Sequence, residues 1–389
     1  MKRAPRTPRS KPAHDLSPTQ GGPDGAGATG VAFRRALLAW YRRAKRDLPW
    51  RRSRDPYAIW LSEVMLQQTR VETVIPYWSR FLDAFPTVHA LAEAPLDLVL
   101  AQWSGLGYYR RARLLHLGAQ SVVAEHGGHL PTSSSGLRSI PGIGPYTAGA
   151  VASIAFGEAA ALVDGNVARV LARVFAMDLD VKSSAGAARL WAIAGELAPG
   201  DDPGAWNQAL MELGATVCTP RNPSCDVCPA ARLCEAKRRG LTAALPVVGK
   251  KAPPKAWRRA AIVAERGSKL LLGRRRTELP FGGLWEPPGL DLGTGGTRVA
   301  GSLFGTSFTD LEQVGRVAHV LTHRRLTVVV WRGKLSEPAS RLRDTPLGAD
   351  YDRLELVDLR GPALASLGMS TLARKILALA HEAVSSRTA

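Results

Sequence analysis

The chain has 389 residues, 45% of them hydrophobic, and a formal net charge of +19. This length exceeds one compact core and predicts two or three domains in a globular protein. No apolar run is long enough to span a bilayer and the N-terminus lacks the apolar stretch of a secretory signal, so we expect a cytoplasmic protein with no membrane partner. The positive charge disfavours an acidic protein surface and favours a polyanionic partner, with nucleic acid as the first candidate.

The N-terminal part of the chain divides into a tail and a helical domain. Residues 1–30 are basic and rich in proline and glycine, which predicts a disordered tail, either solvated or in contact with phosphates. From residue 31 to residue 240, apolar residues recur at spacings of three and four, which predicts an all-α domain.

A composition change near residue 250 predicts a domain boundary. Residues 241–258 are polar and proline-rich, as in a linker. Residues 259–389 hold three predicted strands and a final helix, which makes the second domain α+β. These four elements are Ala260–Ala264, Leu270–Leu272, Leu326–Trp331 and Met369–Ala383.

A first candidate catalytic residue lies in a predicted helix. The segment Asp55–Arg70 begins with an N-cap aspartate and Pro56, and the residues three and four positions from Glu63 are uncharged. We expect the Glu63 carboxyl to be shielded from water, which raises a carboxyl pKa and produces a proton donor near neutral pH. The alternative is a glutamate at the rim of a helix, paired with an arginine.

A glycine turn follows in residues 139–149, SIPGIGPYTAG. Gly142 and Gly144 predict a tight turn between two helices, and Pro145 fits the first position of the second helix. Backbone N–H groups at such a turn can hold a phosphate. The segment therefore predicts a DNA-binding helix-hairpin-helix element, with an ordinary glycine turn in a helical bundle as the alternative.

Asp164 is the second candidate carboxylate. A helix is expected to start directly after it, so an N-cap alone would also explain this residue. One shielded acid and one ionised carboxylate form the pair that glycosidic bond cleavage needs, because the acid protonates the leaving group while the anion stabilises the oxocarbenium-like transition state or attacks it.

The four cysteines of the chain all fall between residues 218 and 234, in the array C-x6-C-x2-C-x5-C formed by Cys218, Cys225, Cys228 and Cys234. Four thiols in one short loop fit a metal centre better than a disulfide framework. The uneven spacing and the lack of histidine favour an iron-sulfur cluster over zinc. Buried structural cysteines are the remaining alternative.

Several motifs together resemble the adenine DNA glycosylase (MutY) family. They are LPWR (48–51), WLSEVMLQQT (60–69), GLGYY (105–109), IPGIGPYTAGA (140–150), VDGNV (163–167) and the cysteine array. The resemblance implies a helix-hairpin-helix glycosylase domain that binds one 4Fe-4S cluster and removes adenine opposite 8-oxoguanine in double-stranded DNA. It covers residues 31–234 closely and the C-terminal third more loosely.

The resemblance assigns roles to individual residues. Glu63 would protonate adenine at N7 and later help to activate water, and Asp164 would stabilise the sugar cation. The pocket for the flipped adenine would be lined by Arg51, Tyr146 and Gln208. The residues that wedge into the duplex and hold the damaged guanine side would be Gln68, Thr69 and Tyr108.

Tyr146 also bears on the type of glycosylase. Related glycosylases with lyase activity carry a lysine nucleophile on the helix after the hairpin, where this chain has Tyr146. The resemblance therefore implies base removal with weak strand cleavage or none.

The second domain resembles the Nudix-like domain of the family. Residues 282–289 match its loop, but Asp291 is the only acidic residue between 290 and 305, so the magnesium-binding acidic helix of Nudix hydrolases is not expected. The family reads 8-oxoguanine with an aromatic residue, a serine and a histidine. Here Leu321 replaces the aromatic residue, Thr322 keeps a hydroxyl and His323 is retained.

We therefore predict a monomeric adenine glycosylase, acting on adenine opposite 8-oxoguanine and less strongly opposite guanine. Three rivals are an endonuclease III-like enzyme for oxidised pyrimidines, a catalytically silent iron-sulfur DNA-binding protein and a nucleotide-pool hydrolase that uses the second domain. The absent lysine and the second domain disfavour the first rival, the two carboxylates disfavour the second, and the missing acidic helix disfavours the third.

Overall fold

The computed structural model describes residues 27–249, 252–293, 304, 307–358 and 366–385. The described residues separate into two compact units, one formed by 27–46 with 157–249 and the other by 47–156 with the described residues from 252 onward. None of the described helices is long and apolar enough to cross a membrane.

Residues 27–249 form helices and loops, as the three- and four-residue apolar spacing predicts. The helices are α1 (Gly27–Ala44), α2 (Pro56–Leu66), α3 (Val71–Ala84), α4 (Val88–Glu93), α5 (Leu96–Gln102), α6 (Arg110–His126), α7 (Ser134–Leu137), α8 (Pro145–Phe156), α9 (Gly165–Val174), α10 (Ser184–Leu197), α11 (Pro203–Thr216) and α12 (Glu235–Arg238). A short 3-10 helix at Pro49–Arg51 precedes α2.

The first unit is built from α1 and α9 to α12. Helix α11 packs against both α1 and α9, and Trp206 of α11 meets Phe33 of α1 edge to face at 5.5 Å between ring centroids. Glu212 of α11 is buried and forms a bidentate ion pair with Arg46, with contacts of 2.8 and 2.9 Å. Such a buried carboxylate requires its cation, because an unpaired charge in the interior is costly.

The second unit combines α2 to α8 with a mixed β sheet. Its strands are β1 (Lys255–Arg266), β2 (Lys269–Arg275), β3 (Trp285–Glu286), β4 (Gly289–Asp291), β5 (Phe308–Val320), β6 (Arg324–Leu335) and β7 (Tyr351–Asp358), and helix α13 (Thr371–Ser385) follows. Strands β3, β2, β1, β6 and β5 lie side by side in that order, while β4 pairs with β1 and β7 pairs with β2. The β1–β6 pair is parallel and the others are antiparallel.

Two hydrophobic clusters cover the two faces of this sheet. Along β1, Ala261 and Val263 join the cluster that includes Ile376 of α13, whereas Ala260 and Ile262 join the cluster on the other face. This alternation is the two-residue period of a strand that is buried on both sides. The three predicted strands lie within β1, β2 and β6, and α13 begins two residues after the predicted helix start at Met369, so the α+β prediction is confirmed.

Two predicted boundaries differ from the structure. Residues 27–30 of the predicted tail are the first residues of α1, while the rest of the tail lies outside the described residues. The predicted linker 241–258 is also too long at both ends. Leu245 is buried against Ala236, and residues 255–258 already belong to β1 because their backbone pairs with residues 324–327 of β6.

Candidate active site and nucleic-acid interface

Helix α2 carries the predicted catalytic acid in its buried part. The Asp55 carboxylate caps the helix by accepting hydrogen bonds from the backbone N–H groups of Tyr57 and Ala58, at 3.0 and 3.3 Å. Every residue from Tyr57 to Met65 is buried, and Glu63 is only 4% exposed. The expected shielding of Glu63 from water is therefore present.

Tyr146, at the start of α8, contacts this carboxylate directly. Its hydroxyl donates a hydrogen bond to Glu63 Oε2 at 2.5 Å. One turn beyond Glu63, Gln67 Nε2 donates to Thr147 Oγ1 at 3.3 Å. The two bonds tie α2 to α8, and Tyr146 fixes the orientation of the Glu63 carboxyl group.

The glycine turn between α7 and α8 has the predicted hairpin form. Gly142 has a φ of +86°, and a Cβ there would lie 2.7 Å from Leu114 Cβ, so both backbone conformation and space require glycine. Gly144 is exposed and has open space beside it. The open side of the turn, just before Pro145, is therefore accessible to a backbone phosphate.

Asp164 lies in the first unit as the N-cap of α9. Its carboxylate accepts hydrogen bonds from the Val167 backbone N–H at 2.7 Å and from Asn166 Nδ2 at 3.1 Å. Burial nevertheless raises the pKa of Asp164, because the desolvation of the charged form outweighs these hydrogen bonds and the Arg169 charge. The capping alternative is thus correct as a local description, and the shifted pKa marks a carboxylate in an unusual setting.

The two other residues predicted to line the base pocket lie in different units. Arg51 ends the 3-10 helix before α2 and is half-buried. Gln208 lies on α11, where its Oε1 accepts a hydrogen bond from the Tyr41 hydroxyl at 3.1 Å and its Nε2 donates to the Gly204 carbonyl at 3.3 Å. Their predicted contact with a flipped base stays a prediction.

The four predicted ligand cysteines line one pocket in the first unit, together with Val170, Arg173 and Leu213. Arg173 Nη1 lies 3.4 Å from Cys218 Sγ, and the Arg169 Nε donates to the Cys218 carbonyl at 2.7 Å. Among the described residues, no group of three or more histidine, cysteine, aspartate or glutamate side chains is arranged to hold a single metal ion. The four cysteines nevertheless share this one cavity.

Burial affects the thiols in this pocket. It raises the pKa of Cys228 to about 11 and that of Cys234 in the same direction, because desolvation disfavours the thiolate. Metal ligation requires deprotonated thiols. The nearby Arg173 and Arg169 supply positive charge, which would partly neutralise the negative charge of several thiolates.

A cleft of about 1040 Å³ lies within the second unit, between the helical residues and the sheet. The helical side contributes Gln68 and Tyr108, and the sheet side contributes the turn between β5 and β6, with Thr322 and His323. Four arginines also line the cleft, namely Arg110, Arg111, Arg113 and Arg324. Their charge makes it a suitable surface for a nucleic-acid backbone.

Tyr108 and Thr322 meet across this cleft, with 3.0 Å between the two hydroxyl oxygens. The structure thus brings a predicted wedge residue together with a predicted lesion-reading residue. Thr69 is bound to a residue that lines this cleft, since its Oγ1 accepts a hydrogen bond from Arg111 at 3.1 Å. His323 is exposed.

Comparisons with known proteins agree with this architecture. Residues 61–193 match the HhH-GPD superfamily of base excision DNA repair proteins, and residues 259–379 match the NUDIX domain. The adenine DNA glycosylase of Rattus norvegicus is 41% identical over 361 residues, which cover 77% of this chain and 70% of the relative. The chain belongs to the adenine DNA glycosylase family.

Further members and structures support that assignment. The adenine DNA glycosylase of Homo sapiens is 39% identical over 386 residues, covering 82% of this chain and 70% of the relative. The solved structure of a thermostable thymine-DNA glycosylase superimposes with a TM-score of 0.50 at 30% identity, covering 54% of this chain and 97% of that one. The predicted family and two-domain fold are confirmed, and the chain is a DNA glycosylase of base excision repair.

The structure also reveals adenine glycosylase residues that the sequence did not single out. Phe281 lines the cleft with its ring 6.3 Å from that of His319, and both Phe281 and Leu321 line this cleft and pack against the same hydrophobic cluster. An aromatic side chain is thus present near the position where Leu321 departs from the family pattern. Its loop carries only a proline before it as a local signal, so sequence alone offered little reason to select it.

In the NUDIX domain, the carboxylate of Glu286 is hydrogen-bonded by other side chains of the domain. Its Oε1 accepts hydrogen bonds from Arg259 and Arg275, both at 3.1 Å, and from the Tyr351 hydroxyl at 2.9 Å. Glu286 is 2% exposed. A carboxylate that neutralises two buried arginines serves the core of this domain, which weighs against the rival assignment as a nucleotide-pool hydrolase.

Proposed function

We propose that this glycosylase removes adenine paired with 8-oxoguanine in double-stranded DNA, and adenine paired with guanine less strongly. The main support is the buried Glu63 carboxyl with the Tyr146 hydroxyl held on it at 2.5 Å. A carboxyl group that is kept from water and oriented by a neighbour is suited to general acid catalysis.

Glu63 would donate a proton to N7 of an adenine turned out of the duplex. Protonation makes adenine a better leaving group, and the glycosidic bond then breaks with an oxocarbenium-like charge on the sugar. Asp164 would stabilise that charge as an anion, and Glu63 would accept a proton from the attacking water. Arg51 and Gln208 would orient the base before the bond breaks.

Tyr146 supports a monofunctional reaction, or one with weak lyase activity. Strand cleavage through a Schiff base needs an amine nucleophile, and a phenol hydroxyl cannot form one. Because Tyr146 donates its hydrogen to Glu63, it acts on the orientation of the acid.

Recognition of 8-oxoguanine would fall to the arginine-lined cleft. Thr322 and His323 provide a hydroxyl and an imidazole at an exposed turn, opposite Gln68 and Tyr108. Gly142 and Gly144 would hold the DNA backbone at the hairpin. We further propose that the protein acts as a monomer on DNA in the cytoplasm, associated with the nucleoid.

A panel of duplexes tests the substrate and the chemistry together. Adenine-strand-labelled duplexes with adenine opposite 8-oxoguanine, guanine or thymine are incubated with the protein and analysed with and without alkali. We expect release opposite 8-oxoguanine first and guanine second, with strand scission mainly after alkali. Efficient scission without alkali together with a borohydride-trapped adduct would contradict the monofunctional assignment.

We also propose that Cys218, Cys225, Cys228 and Cys234 hold one 4Fe-4S cluster. The four thiols line one pocket, and four cysteine thiolates are the ligand set of a 4Fe-4S cluster. The cluster, when bound, would cross-link the loop between α11 and α12 and thereby stabilise it.

Metal analysis tests this assignment independently of activity. We expect about four iron and four sulfide per chain in protein made anaerobically with ample iron. Cys228→Ser should lower the iron content and the melting temperature. Stoichiometric zinc in the wild-type protein under those conditions would rule out the iron-sulfur assignment.

A further inference from the structure

Arg111 of α6 is a buried cation, 9% exposed, that binds two separate loops. Its Nη1 donates to the carbonyls of Val64, Met65 and Gln67, at 2.8, 2.8 and 2.7 Å. Its Nη2 donates to Thr69 Oγ1 and to the carbonyls of Leu106 and Gly107, at 3.1, 3.4 and 3.2 Å. One guanidinium thus connects the end of α2 with the loop before α6.

The first group of acceptors includes carbonyls at the end of the helix that carries Glu63. The last carbonyls of a helix have no partner within it, so they need donors from elsewhere. Arg111 supplies donors to Val64 and Met65, directly after Glu63 in the chain. The position of the acid and the path of the chain beyond α2 therefore depend on the same side chain.

Both loops contain a residue in the left-handed region. Gln68 has a φ of +60° and Tyr108 a φ of +48°. This conformation is unfavourable for residues other than glycine and persists only where the surrounding structure enforces it. Arg111 binds the carbonyl directly before each of these two residues, on Gln67 and on Gly107.

The guanidinium group is specifically suited to this position. Among the described residues no carboxylate pairs with Arg111. Carbonyl oxygens bind its guanidinium group instead, and the rings of Trp103 and Tyr108 lie beside it, with centroids 5.3 and 5.6 Å from the guanidinium carbon. Burial lowers the pKa of Arg111 to about 10. A planar fork can reach acceptors on both sides, whereas a lysine ammonium cannot span the same set.

We propose that Arg111 is a positioning residue that holds residues 67–69 and 105–108 as one preformed element for opening the duplex. The inference rests on the proposed role of Gln68 and Tyr108 in the DNA. An element that is ordered before binding does not lose conformational entropy when it enters the base stack, so more of the binding energy remains for turning the adenine out.

The test compares Arg111→Lys with Arg110→Met in the full chain. Arg110 lies one residue earlier on α6 and lines the same cleft, but the two loops are bound by Arg111. Three measurements are made: amide hydrogen exchange without DNA, fluorescence of 2-aminopurine placed opposite 8-oxoguanine as a reporter of unstacking, and the single-turnover rate of adenine release at saturating enzyme.

For Arg111→Lys we expect faster exchange in residues 66–69 and 105–108 together, less unstacking at saturation and a rate loss on the order of 10- to 100-fold. Iron content should stay at the wild-type value and the melting temperature within about 5 °C of it. Arg110→Met should weaken binding and reduce its salt dependence, with wild-type exchange in both loops and wild-type unstacking at saturation.

Wild-type unstacking in Arg111→Lys, or faster exchange in only one of the loops, would overturn the proposal. A global loss of structure in that variant would also overturn it, since Arg111 would then serve general stability. A wild-type protein that releases no adenine from any duplex would refute the proposed function alone, because the exchange measurement without DNA still reports on the coupling of the loops.

Discussion

Glu63 and His323 belong to the same compact unit but occupy opposite kinds of environment. Glu63 lies inside a helix, 4% exposed, with the Tyr146 hydroxyl on its carboxylate. His323 is exposed at the turn between β5 and β6, where the backbone is held by a bond from the Leu321 N–H to the Arg324 carbonyl at 2.8 Å. The group proposed for chemistry is enclosed, and the group proposed for recognition is accessible.

This difference follows from what each task requires. A proton donor gains from exclusion of water, because burial moves the pKa of a carboxyl group toward the working pH. It also gains from a fixed orientation, because its proton is then already placed toward the acceptor atom. A lesion reader must reach a base inside the DNA, so a polar side chain on a supported turn is suitable. We therefore expect changes at Glu63 to affect turnover and changes at His323 to affect substrate preference.

The largest effect should come from Glu63→Gln. Glutamine retains the shape and can still accept the Tyr146 hydrogen bond, but it cannot protonate adenine. We expect the single-turnover rate to fall by about four orders of magnitude, at the upper end for general acid catalysis, with mismatch binding and iron content unchanged. A near-normal rate in this variant would remove Glu63 from the mechanism.

Glu212→Gln is the matched control for that substitution. Glu212 is also a buried glutamate, 1% exposed, but its partner is Arg46 in a structural ion pair. Its replacement leaves a poorly compensated arginine and should lower the free energy of unfolding. The reaction rate of the folded fraction should remain, so the two variants separate a catalytic carboxylate from a structural one.

A smaller loss is expected for Tyr146→Phe, which removes the donor to Glu63 and retains the ring. Hydrogen bonds to charged groups contribute about 1.5–3 kcal/mol, which corresponds to a loss of about 10- to 100-fold in the single-turnover rate. Thr147→Val is the control, because it removes the adjacent bond to Gln67 and leaves the Glu63–Tyr146 bond intact. Equal effects of both variants would indicate a general packing role for Tyr146.

His323→Ala should change preference more than rate. We expect the ratio of rates for adenine opposite 8-oxoguanine and opposite guanine to fall by about 10-fold, in line with the loss of one polar contact to a base, with little change in chemistry on bound substrate. His129→Ala, at another exposed histidine, should leave the ratio unchanged. An unaltered ratio in His323→Ala would assign lesion reading to other residues, with Phe281 as the next candidate.

Local patterns in the sequence were sufficient to predict the elements that carry the candidate site. Asp55 and Pro56 predict the start of α2, the uncharged neighbours of Glu63 predict its burial, and Gly142 predicts the turn before α8. Each of these features depends on interactions within about four residues, which helical periodicity, capping and turn conformation describe well.

The remaining features depend on contacts between distant segments. The donors of Arg111 reach residues more than 40 positions away, and residues 255–258 become a strand only because β6 lies beside them. The carboxylate of Glu286 finds its partners on β1, β2 and β7. No local pattern records such pairings, because they are created by the tertiary fold.

The smallest expected effect concerns the stability of Asp164→Asn. Asparagine caps a helix about as well as aspartate, so the exchange mainly removes a charge. Burial raises the folded-state pKa of Asp164. The contribution of neutral Asp164 to the free energy of unfolding is therefore fully present below the unfolded-state pKa of about 3.8. It is lost as the pH rises through the higher folded-state pKa.

It follows that Asp164→Asn should be more stable than the wild-type protein at neutral pH, and that its advantage should shrink toward acidic pH. Urea unfolding of both proteins at pH 7.5 and about pH 4.5 measures this difference. The helix dipole acts in the opposite direction, because it stabilises a carboxylate at a helix N-terminus and so favours the wild-type protein at neutral pH. A wild-type protein that is the more stable of the two at pH 7.5 would mean that the dipole and the Val167 N–H outweigh desolvation. Asp164 would then be primarily a helix cap, in contrast to a charge held at a cost in stability for use in the reaction.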